Sequence, residues 1–339
     1  MKNVIGTFRG AVSSTLIVGP RFGVDVSVIR LNSRRVMITS CDPVSYIPSI
    51  GPEASAIMSV HEVASDVATS GIAPKYAMVD LNLPPQLSDM ALTRYWKSFH
   101  KACVQLGISI VGGHTGRFEG CDYSVVGGAT LWAFCGVNEY VTSMMARDSD
   151  DILMTKTAGY GATSVLTKAF PRTMRRVLGS SLFQEAEKYF ESANIVKDAT
   201  IASKCGIHSA GVTAMHDATE GGIVAGLLEI AEASRLGGTV FLEDIPISEE
   251  TVQLCKFFHI DPMVSLGEGS LLIACRPHRT ETILRRLRSE RIGAVVIGRL
   301  SAKNRTLRAL TKRGVIPLRY PKRDPYWRAY WRGVEKGWA

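Results

Sequence analysis

Short apolar runs rich in β-branched residues alternate with longer segments whose apolar positions recur every three to four residues. That alternation predicts strands interleaved with helices and an α/β (α+β) fold. VMITS (36–40) predicts a strand ending at Cys41 and Asp42. Residues 53–71, EASAIMSVHEVASDVATSG, predict a helix with Ile57, Val60, Ala64 and Val67 at helical spacing and Gly71 as its C-cap. Glu62, Asp66 and Ser70 then share the opposite face. KYAMVDLNL (75–83) reads as a strand, MALTRYWKSFHKACVQL (90–106) as a helix, and ISIVGG (108–113) as a strand entering a glycine pair. CDYSVVGGATLWAF (121–134) reads as one long strand or two.

The pattern breaks at NEYVTSMMARDSDD (138–151), and the order then starts again. DILMTK is a strand and AGYGATSVLTKAF a glycine-led helix; GVTAMHD is a strand and GGIVAGLLEIAEASRL a helix. GGTVFLE, SEETVQLCKFF, SLLIAC, ETILRRLRSERI and AVVIGRL follow as strand, helix, strand, helix and last strand. A chain of 339 residues exceeds the roughly 250–300 that one core sustains. The break therefore marks a boundary near residue 145, giving domains 1–145 and 146–302 and a tail, 303–339.

Composition narrows the class. Apolar residues make up 46% of the chain, with no low-complexity tract and no apolar run of membrane-spanning length. MKNVIGTFRGAVSS has no apolar signal core, so a cytoplasmic protein without membrane attachment is expected. The seven cysteines form no C-x-x-C pair, which argues against a disulfide framework and a zinc site.

The net charge of +9 is local: from Arg299 onward, twelve Lys and Arg face only Asp324 and Glu335. That leaves the body near neutrality and the tail basic. The tail also holds Trp327, Trp331, Trp338, Tyr320, Tyr326 and Tyr330. Basic residues among aromatics suit a nucleic acid or protein partner; equally, the aromatics can dock the tail on the body while the charges stay in water.

Four stretches carry candidate chemistry. Asp42 follows an apolar strand and so stands at the rim where open α/β sheets bind ligands, although an aspartate opening a turn before Pro43 accounts for it equally. IVGGHTG (110–116) leads a strand into Gly112, Gly113, His114 and Thr115. Glycines let backbone N–H groups approach an anion and a threonine hydroxyl can donate to phosphate, while a tight turn explains the same residues. KTAGYGATSVL (156–166) places Gly159, Gly161 and a helix N-terminus at one spot. HDATEGGIVAGLLEIAEAS (216–234) repeats that plan with Asp217 and Glu220 ahead of the helix. Thr219 and Glu220 can simply cap it. A carboxylate there repels a phosphate unless a cation intervenes, so its functional reading is a Mg2+ ligand.

In order along the chain, Asp25 in FGVDVSVI, Asp42, Asp66, GGHTG, AGYGATS and HDATEGG resemble the motifs of an ATP-binding superfamily. Its members include aminoimidazole ribonucleotide (AIR) synthetase, thiamine-monophosphate kinase, selenophosphate synthetase and the hydrogenase-maturation protein HypE. The resemblance covers roughly residues 20–300 and is nearest to the HypE branch, through SVHEVASDVATSGIAPKYAMVDLNLP, AMHDATEGGIVAGLLEIAEAS and IDPMVSLGEGSLLIACRP, the last keeping Glu268 and Gly269.

The resemblance implies a PurM-like two-domain fold, with N-terminal mixed sheets joined into a barrel across a homodimer and a C-terminal α+β sandwich. It implies ATP and Mg2+ in the cleft between domains, and phosphorylation of a carbonyl (amide-type) oxygen or other acceptor on a small-molecule or protein-borne substrate, as in metallocentre maturation. Carried over by position, Asp25, Asp42, Asp66 and Asp217 hold Mg2+. Gly112, Gly113 and Thr115 lie along the nucleotide with Gly159, Gly161, Asp217 and Glu220, and Asp42, Asp66 and His114 are catalytic.

The departures set a second expectation. Val24 stands where the superfamily has another carboxylate, His114 where the synthetase has glutamate, and the last cysteine is Cys275, so chemistry on a C-terminal thiol of the chain is not expected. A nucleotide-sensing or RNA-binding protein that kept the fold without turnover is the alternative.

Overall fold

The computed structural model describes residues 8–339, so the first half of MKNVIGTFRGAVSS lies outside the described residues. β1 (Leu16–Val18), β2 (Ser27–Arg30) and β3 (Arg35–Ser45) precede helix α1 (Gly51–Ala68). After it come β4 (Tyr76–Leu83), α2 (Asp89–Leu106), β5 (Ser109–Arg117) and β6 (Val125–Gly136). The six strands form one sheet in the order β1-β2-β3-β6-β4-β5. All neighbours are antiparallel except β4 and β5, which the α2 crossover leaves parallel.

Period-two alternation explains how this sheet packs. Ala77, Val79, Leu81 and Leu83 of β4 are buried in one cluster with Val60 and Val63 of α1 and Tyr95 and Phe99 of α2. The other face presents Tyr76, Met78, Trp132 and Phe134, with Met78 and Phe134 exposed.

Two expected boundaries move. β3 does not stop at Asp42 but runs through Pro43, which pairs with Gly128 of β6, so the turn-opening reading of Asp42 fails. β2 pairs with β3 only as far as Thr39; beyond it β3 has one neighbour, and a proline without an N–H is tolerated there. Helix α1 is capped by Thr69 rather than Gly71, which lies in the following turn against Ser203.

The second half opens with β7 (Asp151–Thr155), α3 (Tyr160–Ala169), α4 (Pro171–Glu191), α5 (Val196–Ser203), β8 (Val212–Asp217), α6 (Gly222–Ser234) and β9 (Gly237–Phe241). It continues with α7 (Glu249–Phe258), β10 (Leu271–Cys275), α8 (Thr280–Ser289) and β11 (Ala294–Ser301). AVVIGRL is not the last strand. β12 (Leu307–Thr311) and β13 (Gly314–Pro317) extend the sheet to β13-β12-β9-β11-β7-β10-β8, and α9 (Pro325–Glu335) follows.

Every residue of β7, β8 and β10 is buried because both faces of this sheet are covered. Leu153, Met215, Leu271 and Ile273 join α5, α8 and the core of the first half, whereas Ile152, Met154, Ala214 and Leu272 pack with α6. One apolar cluster thus runs from Val18 to Ile292 through α1. The tail docks as well: Tyr326, Ala329 and Tyr330 of α9 bury against Phe170, Phe183 and Leu254, and Trp338 packs on Phe257 and Phe258. No helix among the described residues is long and apolar enough to cross a membrane.

Candidate active site

Six carboxylates from both halves meet where the two sheets face across α1. Asp25 comes from the loop before β2, Asp42 from the α1-facing side of β3, and Glu62 and Asp66 from successive turns of α1. Asp217 ends β8, paired with Leu271, and Glu268 sits in the loop just before β10. Asp66 feels the charges of Asp217, Asp25 and Asp42, and Glu268 those of Asp217, Glu62, Asp66 and Asp42. Asp25, Asp42, Asp66 and Asp217, read separately in the sequence, are therefore neighbours in space.

The cluster is electrostatically unfavourable as it stands. Burial, then the charge of Glu220, pushes Asp42 up to about 6. Burial and Asp42 push Glu62 up to about 8, and burial and Asp25 push Asp217 up to about 7. Asp66 and Glu268 rise well above the carboxylate range, again through burial first and like charges second, although Ser40 Oγ donates to Asp66 Oδ2 at 2.7 Å and partly offsets the rise. Both oxygens of Asp217 and Oε2 of Glu268 are buried without a hydrogen-bond partner from another residue. Unpaired buried carboxylate oxygens are costly, and oxygen donors are the ligands that a hard divalent cation such as Mg2+ takes.

Among the described residues, His216 supplies the counter-charge that pairs with this group. Its Nδ1 lies 2.7 and 2.8 Å from the two Asp25 oxygens, and its Nε2 lies 2.7 Å from Glu229 Oε2. Set between two carboxylates, the ring is held as an imidazolium that donates from both nitrogens. Burial opposes that charge, but the pairs with Asp25 and Glu229 overcome it and hold the group well above its usual value. Asp25, His216 and Asp217 offer atoms within 4.8 Å of one another, yet with both nitrogens engaged His216 balances the site's charge and is not a ligand.

Sequence reasoning missed His216, Glu229, Glu62 and Glu268 as site residues. Glu62 carried a usable signal, four residues before Asp66 on the same helix face. Glu229, seven residues into α6, and His216, one of six buried residues in β8, carried none.

The glycine motifs are placed differently. Gly112, Gly113, His114 and Thr115 form no turn; they continue β5 along the sheet edge, exposed. A Cβ at Gly113 would stand 1.8 Å from the Val79 carbonyl oxygen, so its glycine permits close approach of β4. No hydrogen bond or ion pair among the described residues joins His114 or Thr115 side chains to the carboxylates.

Gly159 and Gly161 do begin α3, but the loop before β10 fills the space: Ala162 N donates to Leu266 O at 2.8 Å, and a Cβ on Gly161 would meet Glu268 at 2.8 Å. At the start of α6, Val224 N donates to Met263 O, and Gly221 N donates to Asp324 Oδ2 at 2.8 Å. Glu220 does not cap that helix; its Oε1 accepts from Trp327 Nε1 at 2.8 Å. The chain's own carbonyls and Asp324 thus occupy both helix starts.

Two family models match the chain: AIR synthase related protein, N-terminal domain, over residues 23–132, and AIR synthase related protein, C-terminal domain, over residues 149–308. The chain belongs to the AIR synthase related family. A carbamoyl dehydratase HypE of Rhizobium leguminosarum bv. viciae is similar to this family member at 26% identity over 280 residues, 81% of this chain and 75% of the relative. A thiamine-monophosphate kinase of Aquifex aeolicus (strain VF5) is 23% identical over 248 residues, 71% of this chain and 74% of the relative. The crystal structure of hydrogenase maturation protein HypE in complex with ATP has a TM-score of 0.65 at 22% identity, covering 95% of this chain and 91% of its own. The PurM-like two-domain fold expected from the motifs is the fold of this AIR synthase related protein.

Proposed function

We propose that this AIR synthase related protein is an ATP- and Mg2+-dependent enzyme that phosphorylates an oxygen of an acceptor, a carbonyl oxygen of the amide type included. The observation that supports it is the convergence of Asp25, Asp42, Glu62, Asp66, Asp217 and Glu268, with buried oxygens of Asp217 and Glu268 left without partners. A divalent cation bound there would neutralise these carboxylates and the charge of a bridged polyphosphate. In this reading Asp42, Asp66 and Asp217 would supply oxygens to the cation, while Asp25 pairs with His216 and Ser40 donates to Asp66. A similar structure solved in complex with ATP and a relative named as a kinase accord with this reading.

Pairing of two copies belongs to the same proposal. The bare face of the first sheet, with Met78 and Phe134 exposed, and the open edge of β5 form an apolar surface suited to a homodimer. In such a dimer His114 and Thr115 lie at the interface, where they would meet nucleotide through association rather than within one chain. Calorimetric titration with ATP, with and without Mg2+, tests the proposal. Saturable Mg2+-dependent binding is expected; none at millimolar nucleotide, with a folded protein, removes it.

A further inference from the structure

Beside the carboxylates, the tail builds a second concavity. A groove of about 1040 Å3 runs between the start of α9 and the Glu220–Glu229 side of α6. It is preformed, because the tail is pinned at several points. Asp324 accepts from Gly221 N and from Tyr326 N, each at 2.8 Å, Tyr330 hydroxyl bonds Ser49 Oγ at 2.8 Å, and Tyr320 hydroxyl donates to Glu232 at 3.2 Å. The groove touches the site on two sides. Glu220 is near enough to Asp42 to act on its charge, and Glu229 holds the imidazolium that holds Asp25.

The charges lining the groove are unequally committed. Its three carboxylates are engaged: Glu220 by Trp327, Glu229 by His216 and Asp324 by backbone N–H groups. Its three cations, Lys322, Arg323 and Arg328, have no carboxylate partner among the described residues and are exposed. The carboxylates keep their charge but have donors on their oxygens, so the charged groups without a partner, and so free to bond a ligand, are the three cations. Trp327 and Trp331, one helical turn apart and 41% and 51% exposed, supply flat apolar surface on the same wall.

We propose that this groove binds the acceptor substrate, and that the acceptor is a small organic anion with a flat unsaturated part. Its charge would be held by Lys322, Arg323 and Arg328 and its plane by the two tryptophans, with the oxygen to be modified directed past Glu220 toward Asp42. This inference rests on the phosphoryl-transfer reading above and names its second substrate class.

The test uses the full chain with AMPPCP and Mg2+ present, phenyl phosphate as the probe, and intrinsic tryptophan fluorescence as the signal. Benzoate run in parallel separates a phosphate from a carboxylate preference, and benzyl alcohol is the uncharged control. Saturable quenching by one of the anions, absent with benzyl alcohol, is expected. Arg328→Glu is expected to weaken it at least about tenfold, and Trp331→Ala about threefold or more, while AMPPCP affinity stays within about twofold. The proposal is overturned by any of three results: no saturable signal up to roughly 10 mM anion, an unchanged dissociation constant in Arg328→Glu, or competition between the anion and AMPPCP. Displacement of the anion by single-stranded RNA with steep salt dependence would also overturn it, assigning the groove to a polymer. Should AMPPCP itself fail to bind, the nucleotide reading falls, while anion binding to the nucleotide-free protein still decides the groove.

Discussion

The two glycine junctions, GGHTG and EGG, look alike as sequence and do opposite things in the fold. The first is a strand at an open edge, bare toward solvent, with Gly113 admitting the backbone of β4. The second is a helix start sealed by the chain itself, where Gly222 takes a left-handed φ of +61° and a Cβ would stand 2.6 Å from the Ser265 carbonyl oxygen. Paired glycines report that something comes close to the backbone. Whether that something is a phosphate, a neighbouring strand or a loop is decided by residues far away in sequence.

The contrast can be broken most forcefully at Gly113. Gly113→Ala should cost at least about 3 kcal/mol in urea unfolding, whereas Gly112→Ala, which would meet only Met78 at 3.8 Å, should change stability by less than about 1 kcal/mol. Equal costs would show that β5 does not sit as described. At the carboxylates, Asp217→Asn should raise the dissociation constant for ATP with Mg2+ at least about tenfold, roughly 1.4 kcal/mol, yet raise the melting temperature of the metal-free protein by relieving like-charge repulsion. A loss in both measurements would make Asp217 a structural residue only. On the sealed side, Asp324→Ala removes the acceptor for two N–H groups and should cost about 1 to 2 kcal/mol, with Trp327→Phe costing less.

The pH profile of the protein held in chelator tests the same cluster. Glu62, Asp217 and Asp42 keep protons in the folded state up to about 8, about 7 and about 6, well above the values they have when unfolded. The unfolded chain binds fewer protons across this window. The contribution of these groups to stability is therefore fully present below about pH 4 and is lost as pH rises from there to about 8. Melting curves at pH 6 and 8.5 should show the fall, and Mg2+ should flatten it; a rise with pH would contradict the burial of this cluster.

Much of the architecture was legible because each strand and helix advertised its buried face by period. What escaped was set by neighbours. β3 passes through Pro43 because β2 is too short to need its N–H there. β5 passes through Gly113 because its parallel partner leaves no room for a side chain there. The tail read as charged, yet Tyr326, Ala329, Tyr330 and Gly333 follow a helical stripe that buries, while Arg328 and Lys336 face outward. In the site, Asp42 stood out beside a strand end and Asp217 beside a glycine-led helix, while Asp25 and Asp66 entered only through the order of the family motifs. Glu229 and His216 did not, since a mid-helix glutamate and an imidazole in a strand gain meaning only from each other and from Asp25.

The apolar cluster that threads α1 from Val18 to Ile292 has a mechanical consequence. Halves joined by a thin polar seam can swing on one another, but halves that share one oily interior have no hinge to use. The distance from Asp66 on α1 to Asp217 on the far sheet is then set when the chain folds, and any tightening around a guest must come from side chains.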